Sequence, residues 1–143
     1  MTTLKMPKVD RQILKNRDNI IKDISNFTKK QNILAEKEEL KPYETDGLTA
    51  YKQTPMLVVL PETTQEVSKI LSYCNKKKIK VVPRGAGTGL AGSALPLADC
   101  ILLGLGKFNK ILETDYKNRC VVAQPGVTNL SITHAVQDKN FYY

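Results

Sequence analysis

The sequence is short of the residues that build metal centres, disulfide frameworks and nucleophile–base pairs. Its 143 residues hold one histidine, His134, and three cysteines, Cys74, Cys100 and Cys120, far apart and in no CxxC arrangement. That spacing excludes a zinc site and a disulfide framework, and the three thiols read as reduced core filler. His134 lies in an amphipathic stretch without a carboxylate or cysteine at catalytic spacing, so it reads as structural. No apolar run approaches the roughly 20 residues that a membrane-spanning helix needs. No Lys-Ser or Lys-Thr pair follows any glycine, which removes a P-loop. The stretch Met1–Lys8 has neither an apolar core nor a small-residue cleavage site, so a cytoplasmic protein is expected, with a peripheral place at an inner membrane left open.

Acidic residues are also the minority, and the formal charge is +8. The excess is not a patch: residues 1–41 carry 10 basic and 6 acidic side chains, and residues 42–143 carry 12 and 8. The densest cluster, Lys76-Lys77-Lys78 with Lys80, falls at an expected helix end, where cations offset the helix dipole by about 0.3–1 kcal/mol each. It reads as a solvated helix terminus, and no nucleic-acid partner is expected.

What is present is organised in short elements. From Asp10 to about Thr28, apolar residues at three- and four-residue steps predict an amphipathic helix. Lys29–Lys41 is polar and reads as a broken helix or connector closed by Pro42, which places a division between an N-terminal helical segment, 1–41, and a domain over 42–143. Met56–Leu60, between Pro55 and Pro61, has the continuous apolar character of a strand buried on both faces. Thr63-Thr64-Gln65-Glu66 is a capping box, and Val67, Ile70, Leu71 and Cys74 form one stripe of the helix that follows. Ile79–Val82 and Cys100–Leu105 are further strands. Asn109–Asp115 and Arg119–Gln124 read as a hairpin, and Thr128 caps a last helix through Leu130, Ile132, Ala135 and Val136.

The second of these strands runs into Pro83-Arg84-Gly85-Ala86-Gly87-Thr88-Gly89-Leu90-Ala91-Gly92, which holds four of the eight glycines. Glycine removes Cβ atoms where the backbone turns sharply and leaves N–H groups free to face an anion such as a phosphate, with Arg84 adding charge at the mouth. Gly87-x-Gly89-x-x-Gly92 matches a Rossmann fingerprint literally, but that motif needs a helix opening at its last glycine, and Pro96 forbids one. A second tight turn, Pro125-Gly126-Val127, follows the hairpin.

The glycine loop, preceded by Pro61-x-x-Thr64-x-Glu66-Val67 and followed by Gln124-Pro125-Gly126-Val127, resembles the FAD-binding domain of the p-cresol methylhydroxylase and vanillyl-alcohol oxidase (PCMH) type. Within it the chain is most similar to the glycolate oxidase and D-lactate dehydrogenase branch, where Tyr43–Tyr51 also has a counterpart. The resemblance covers residues 42–143 and implies an α+β fold: the first α/β subdomain of that domain plus part of the second, preceded by the N-terminal helix. It implies that Pro83–Leu90 and Gly92 wrap the FAD pyrophosphate, Gly85, Ala86, Gly87, Thr88 and Gly89 among them, and that Pro125, Gly126 and Val127 make a second backbone contact. Thr88 stands where some relatives carry a histidine bonded to the flavin, so non-covalent FAD is expected. Tyr43 and Asp46 read as caps of the domain.

Members of that family continue well past the position of Tyr143, so the chain is expected to be incomplete at its C-terminus. Three functional classes remain open. The chain is the FAD-binding part of a flavin-dependent 2-hydroxy-acid oxidoreductase; or a truncated or split product that works with a second chain carrying the missing half, or an iron–sulfur subunit; or a basic binding module without enzymatic activity. No residue reads as a catalytic acid, base or hydride-orienting group.

Overall fold

The computed structural model describes residues 6–143. Asp10 starts the first helix, α1 (Arg11–Lys15), by accepting from the N–H groups of Gln12 and Ile13. The single helix expected through Thr28 is instead split at Asn16, before α2 (Arg17–Ile24). Asn16 serves as C-cap of one helix and N-cap of the next, at φ −93° and ψ 11°, outside helical geometry, and its Oδ1 accepts from Asn19 Nδ2 at 2.6 Å. The apolar stripe survives the break, with Ile20 and Ile24 buried.

The Lys29–Lys41 connector folds more than its polarity suggests. A 3-10 turn over Lys30–Asn32 leads into β1 (Ile33–Leu34), then α3 (Lys37–Leu40) and a second 3-10 turn, Lys41–Tyr43. Pro42 does not close this segment. It sits at the start of the second turn, where its missing N–H costs nothing. β1 pairs antiparallel with β2 (Leu57–Val59), Ile33 opposite Val59. Residues on the two sides of position 42 therefore share one sheet, and they share one core: Ile20 and Ile24 pack with Leu57, Val59, Ile70, Ile101 and Leu103.

The expected strand–helix–strand unit is β2, α4 (Thr64–Lys77) and β3 (Lys80–Arg84). β4 (Cys100–Gly104) inserts between the two strands, giving the order β1-β2-β4-β3 with β2, β4 and β3 parallel. β3 is thus an edge strand, which is why it tolerates Pro83. Thr63 Oγ1 accepts from the Glu66 N–H at 3.2 Å, while the Glu66 carboxylate reaches back to the Glu62 N–H at 2.8 Å rather than to Thr63 itself. Ile70 and Cys74 are buried as the stripe predicts, but Leu71 is 44% exposed. Lys78 ends α4 in the left-handed region at φ 56°, and Lys76–Lys78 lie in solvent. Lys80 instead turns in to the buried Asp99, 2.7 Å away.

After β4, an antiparallel hairpin of β5 (Ile111–Asp115) and β6 (Cys120–Ala123) precedes α5 (Asn129–Val136). Thr128 Oγ1 caps α5 by accepting from the Ser131 N–H at 3.1 Å. The architecture is α+β. Cys74 and Cys100 are buried fillers, whereas Cys120 is exposed on the hairpin and fills no core.

Candidate functional site

The glycine loop leaves the sheet at the end of β3. The Arg84 carbonyl still accepts from the Leu105 N–H at 2.8 Å, and pairing stops there. Among the described residues, none of the N–H groups from Ala86 to Gly92 donates to another protein group. Gly87 and Gly92 have φ of 73° and 75°, conformations that residues with a Cβ seldom adopt. A Cβ on Gly89 or Gly92 would meet nothing within 4 Å, so the loop's outer side is open. Pro83, Gly85, Ala86, Thr88, Gly89 and Leu90 are exposed, Leu90 to 72%. No helix forms between Arg84 and Cys100, as Pro96 requires. The loop closes instead on a turn in which the Leu95 N–H donates to the Gly92 carbonyl at 3.2 Å.

The second turn stands beside the first. A Cβ on Gly85 would lie 3.8 Å from the Pro125 carbonyl oxygen. The Gly126 N–H donates to the Phe108 carbonyl at 2.7 Å, and a Cβ on Gly126 would fall 2.7–3.0 Å from the carbonyl oxygens of Leu105, Phe108 and Gly106. Only glycine fits there. The Val127 N–H donates to the Gln124 carbonyl at 3.1 Å and completes the turn.

Arg84 does not stand at the loop's mouth. Its side chain folds beneath the loop, 7% exposed, with Nη2 donating to the Ala94 carbonyl at 2.6 Å and the guanidinium 6.0 Å from the centre of the Tyr43 ring. Its Cδ would lie 3.2 Å from a Cβ on Gly87. Burial pulls the Arg84 pKa down, and the nearby Asp46 charge opposes that shift. Asp46 is 5% exposed, and its Oδ1 accepts from the Leu48 N–H at 3.0 Å. Asp46 Oδ2 and Arg84 Nε are both buried without a hydrogen-bond partner. Each such orphan costs about 1–3 kcal/mol, a price the fold carries directly under the loop.

Sequence reasoning gave the Tyr43–Leu48 segment a capping role and missed how closely it underlies the loop. A Cβ on Gly47 would sit 2.5 Å from the Thr88 carbonyl oxygen and 2.8 Å from that of Gly89. A glycine directly after an acidic residue, within a stretch otherwise rich in side chains, was the available signal. His134 is exposed on α5, the helix that follows the second turn. Among the described residues, no group of three or more His, Cys, Asp or Glu side chains is placed to hold a metal ion, and no helix is long and apolar enough to cross a membrane.

A row of open backbone N–H groups on a loop with little Cβ bulk has the donors and the room for an anion such as a phosphate. The family described as FAD binding domain matches residues 55–143. The glycolate oxidase subunit GlcD of Escherichia coli K12 is 49% identical over 111 residues, 78% of this chain and 22% of that protein. The mitochondrial D-2-hydroxyglutarate dehydrogenase of Arabidopsis thaliana is 36% identical over 123 residues, 84% of this chain and 22% of that one. Among solved structures, p-cresol methylhydroxylase with substrate bound superposes with a TM-score of 0.78 at 25% identity, over 94% of this chain and 27% of that chain. The chain thus spans about a fifth of the length of the curated relatives it matches.

Proposed function

The chain belongs to the FAD-binding domain family, and on that premise we propose that its glycine loop holds the FAD pyrophosphate as the N-terminal part of a flavin-dependent 2-hydroxy-acid oxidoreductase. The observation that carries this reading is the run of unpartnered N–H groups from Ala86 to Gly92. Those donors replace the water that a diphosphate loses on binding, and the Arg84 charge acts from beneath. Pro83 and Pro125–Val127 flank the cradle and limit its movement. The loop has no histidine, cysteine or tyrosine, and Thr88 can only hydrogen-bond, so the cofactor is held without a covalent link. Two-electron redox chemistry at the flavin ring is what FAD supplies when bound.

The substrate class rests on the relatives, whose names specify glycolate and D-2-hydroxyglutarate, both 2-hydroxy acids. The loop's outer side is open at Gly89 and Gly92, and the matched relatives are several times longer than this chain, so we assign substrate contact and catalysis to the portion of those proteins beyond the matched stretch. A second chain carrying that portion is one partner proposed on this reading. An iron–sulfur subunit that takes the electrons is a further one. A cytoplasmic setting fits the free thiols.

The test is reconstitution. The purified chain with excess FAD is expected to retain yellow flavin absorbance through desalting and to gain about 2.7 kcal/mol of stability at 100 times the Kd. Denaturation should release all the flavin, and flavin that stays on the unfolded polypeptide would refute the non-covalent assignment. Bleaching by glycolate or D-lactate without a second chain would overturn the division of labour. Failure to bind at any FAD concentration would favour the basic binding module.

A further inference from the structure

Of the eight glycines, Gly47 leaves least room for a side chain, with a Cβ position only 2.5 Å from the Thr88 carbonyl oxygen. Its own backbone does not demand glycine, because its φ lies outside the left-handed region. The demand comes from the loop packed on top of it. The obstructing atoms are backbone, the Thr88 and Gly89 carbonyls, so a methyl group at position 47 cannot be absorbed by a rotamer change. It has to push the loop. Asp46 fixes this turn through the Leu48 N–H, and Arg84 passes under Gly87 to the Ala94 carbonyl, so its side chain spans both arms of the loop.

We propose that the Asp46–Gly47 turn is the template that sets the diphosphate-binding shape of the glycine loop, which makes Asp46 and Gly47 positioning residues for the cofactor. The inference rests on the FAD reading for the identity of the ligand. It adds two residues from outside the glycine string, neither of which touches the ligand in this account. The orphaned Asp46 Oδ2 beneath the loop is the second observation in its favour, since its charge lies near the same buried Arg84 side chain that spans the two arms of the loop.

The experiment compares Gly47→Ala with Gly89→Ala in the full chain, using FAD and ADP as probes and amide NMR of the cofactor-free protein as an independent readout. Gly47→Ala should displace the Thr88, Gly89 and Leu90 amide resonances before any ligand is added and weaken FAD and ADP together by about 10-fold or more. Gly89→Ala, whose Cβ meets nothing, should leave the cofactor-free loop where it is. Unmoved loop amides and unchanged affinity in Gly47→Ala would overturn the proposal. If that variant fails to fold, Asp46→Ala and Asp46→Asn decide: asparagine keeps the acceptor for Leu48 and should restore binding that alanine loses, whereas equal wild-type binding by both refutes the template. A wild-type chain that binds neither FAD nor ADP would sink the FAD reading separately. The loop amides of the cofactor-free variants would still show whether the turn shapes the loop.

Discussion

In β4 all five residues from Cys100 to Gly104 are buried, whereas no residue of β5 or β6 is. β4 has a parallel neighbour on each edge and helices contributing to the core around it, so its apolar run is matched by its surroundings. The hairpin has one partner strand per strand, and Leu112, Val122 and, on α5, Leu130 remain 62%, 48% and 63% exposed. Two-stranded ribbons are marginal by themselves. The site is built from both kinds of structure: the glycine loop leaves the closed sheet, while the Pro125–Val127 turn leaves the open hairpin and docks on the carbonyls that follow β4. On the proposed reading, the closed sheet anchors the glycine loop and the hairpin brings the second turn beside it.

The contrast breaks most visibly at paired leucines. Leu102, fully buried in β4, should cost about 2–5 kcal/mol on truncation to alanine. Leu112→Ala in β5 should stay within about 0.5 kcal/mol of wild type. Urea denaturation of the two variants measures the difference, and equal losses would show that the hairpin is packed in solution.

A smaller effect separates two aspartates. Asp99, 2% exposed, takes hydrogen bonds from Lys80 Nζ at 2.7 Å and the Asp10 N–H at 2.6 Å, and so ties the N-terminal segment to the sheet. Burial alone would raise its pKa, but the bonds from Lys80 and Asp10 outweigh that and hold it below the ordinary 3.8. Asp115 on the hairpin is also held below 3.8, by the backbone and side-chain N–H groups of Asn118. Asp99→Ala should cost about 1–3 kcal/mol, and Asp115→Ala distinctly less. Because both folded values are depressed, each contribution is complete above 3.8 and lost as pH falls through the folded value. Glu62 extends the same loss: three bonds, from Lys29, Lys107 and Asn32, lower it from 4.5 to about 2. Denaturant midpoints followed downward from neutral pH should therefore drop first through the Glu62 range, and the drop should shrink more in Asp99→Ala than in Asp115→Ala.

The sequence signals that worked were local ones. The Met56–Leu60 run, the Thr63 cap and the helix-free course after Gly92 each depend on a handful of adjacent residues, and each appears in the structure. What was not legible depends on distant partners. Ile33–Leu34 is too short to show any period, and it is a strand because the edge of β2 is there to pair with it. Arg84 announces a charge but not a direction, and only the fold turns it under the loop. Gly47 is one glycine among eight until Thr88 is placed on top of it.

The smallest energetic effect gives the finest test of the contrast, because thiol chemistry reads both regions in one sample. Thiolates, not thiols, react with disulfide reagents. Burial pushes Cys74 and Cys100 up to about 11, so in the closed fold they are both shielded from reagent and nearly without thiolate near neutral pH, and opening removes both barriers together. Cys120 is exposed on β6. The native chain should therefore titrate as one fast thiol and two slow ones, all three becoming fast in denaturant. Leu102→Ala should accelerate the slow pair, since they become reachable only when the sheet opens, and leave Cys120 unchanged. A slow Cys120 would mean that the hairpin face is covered in solution. Cys100 reacting as fast as Cys120 would mean that the sheet opens locally at its Lys80–Cys100 end, and the contrast between a closed sheet and an open hairpin would have to be given up.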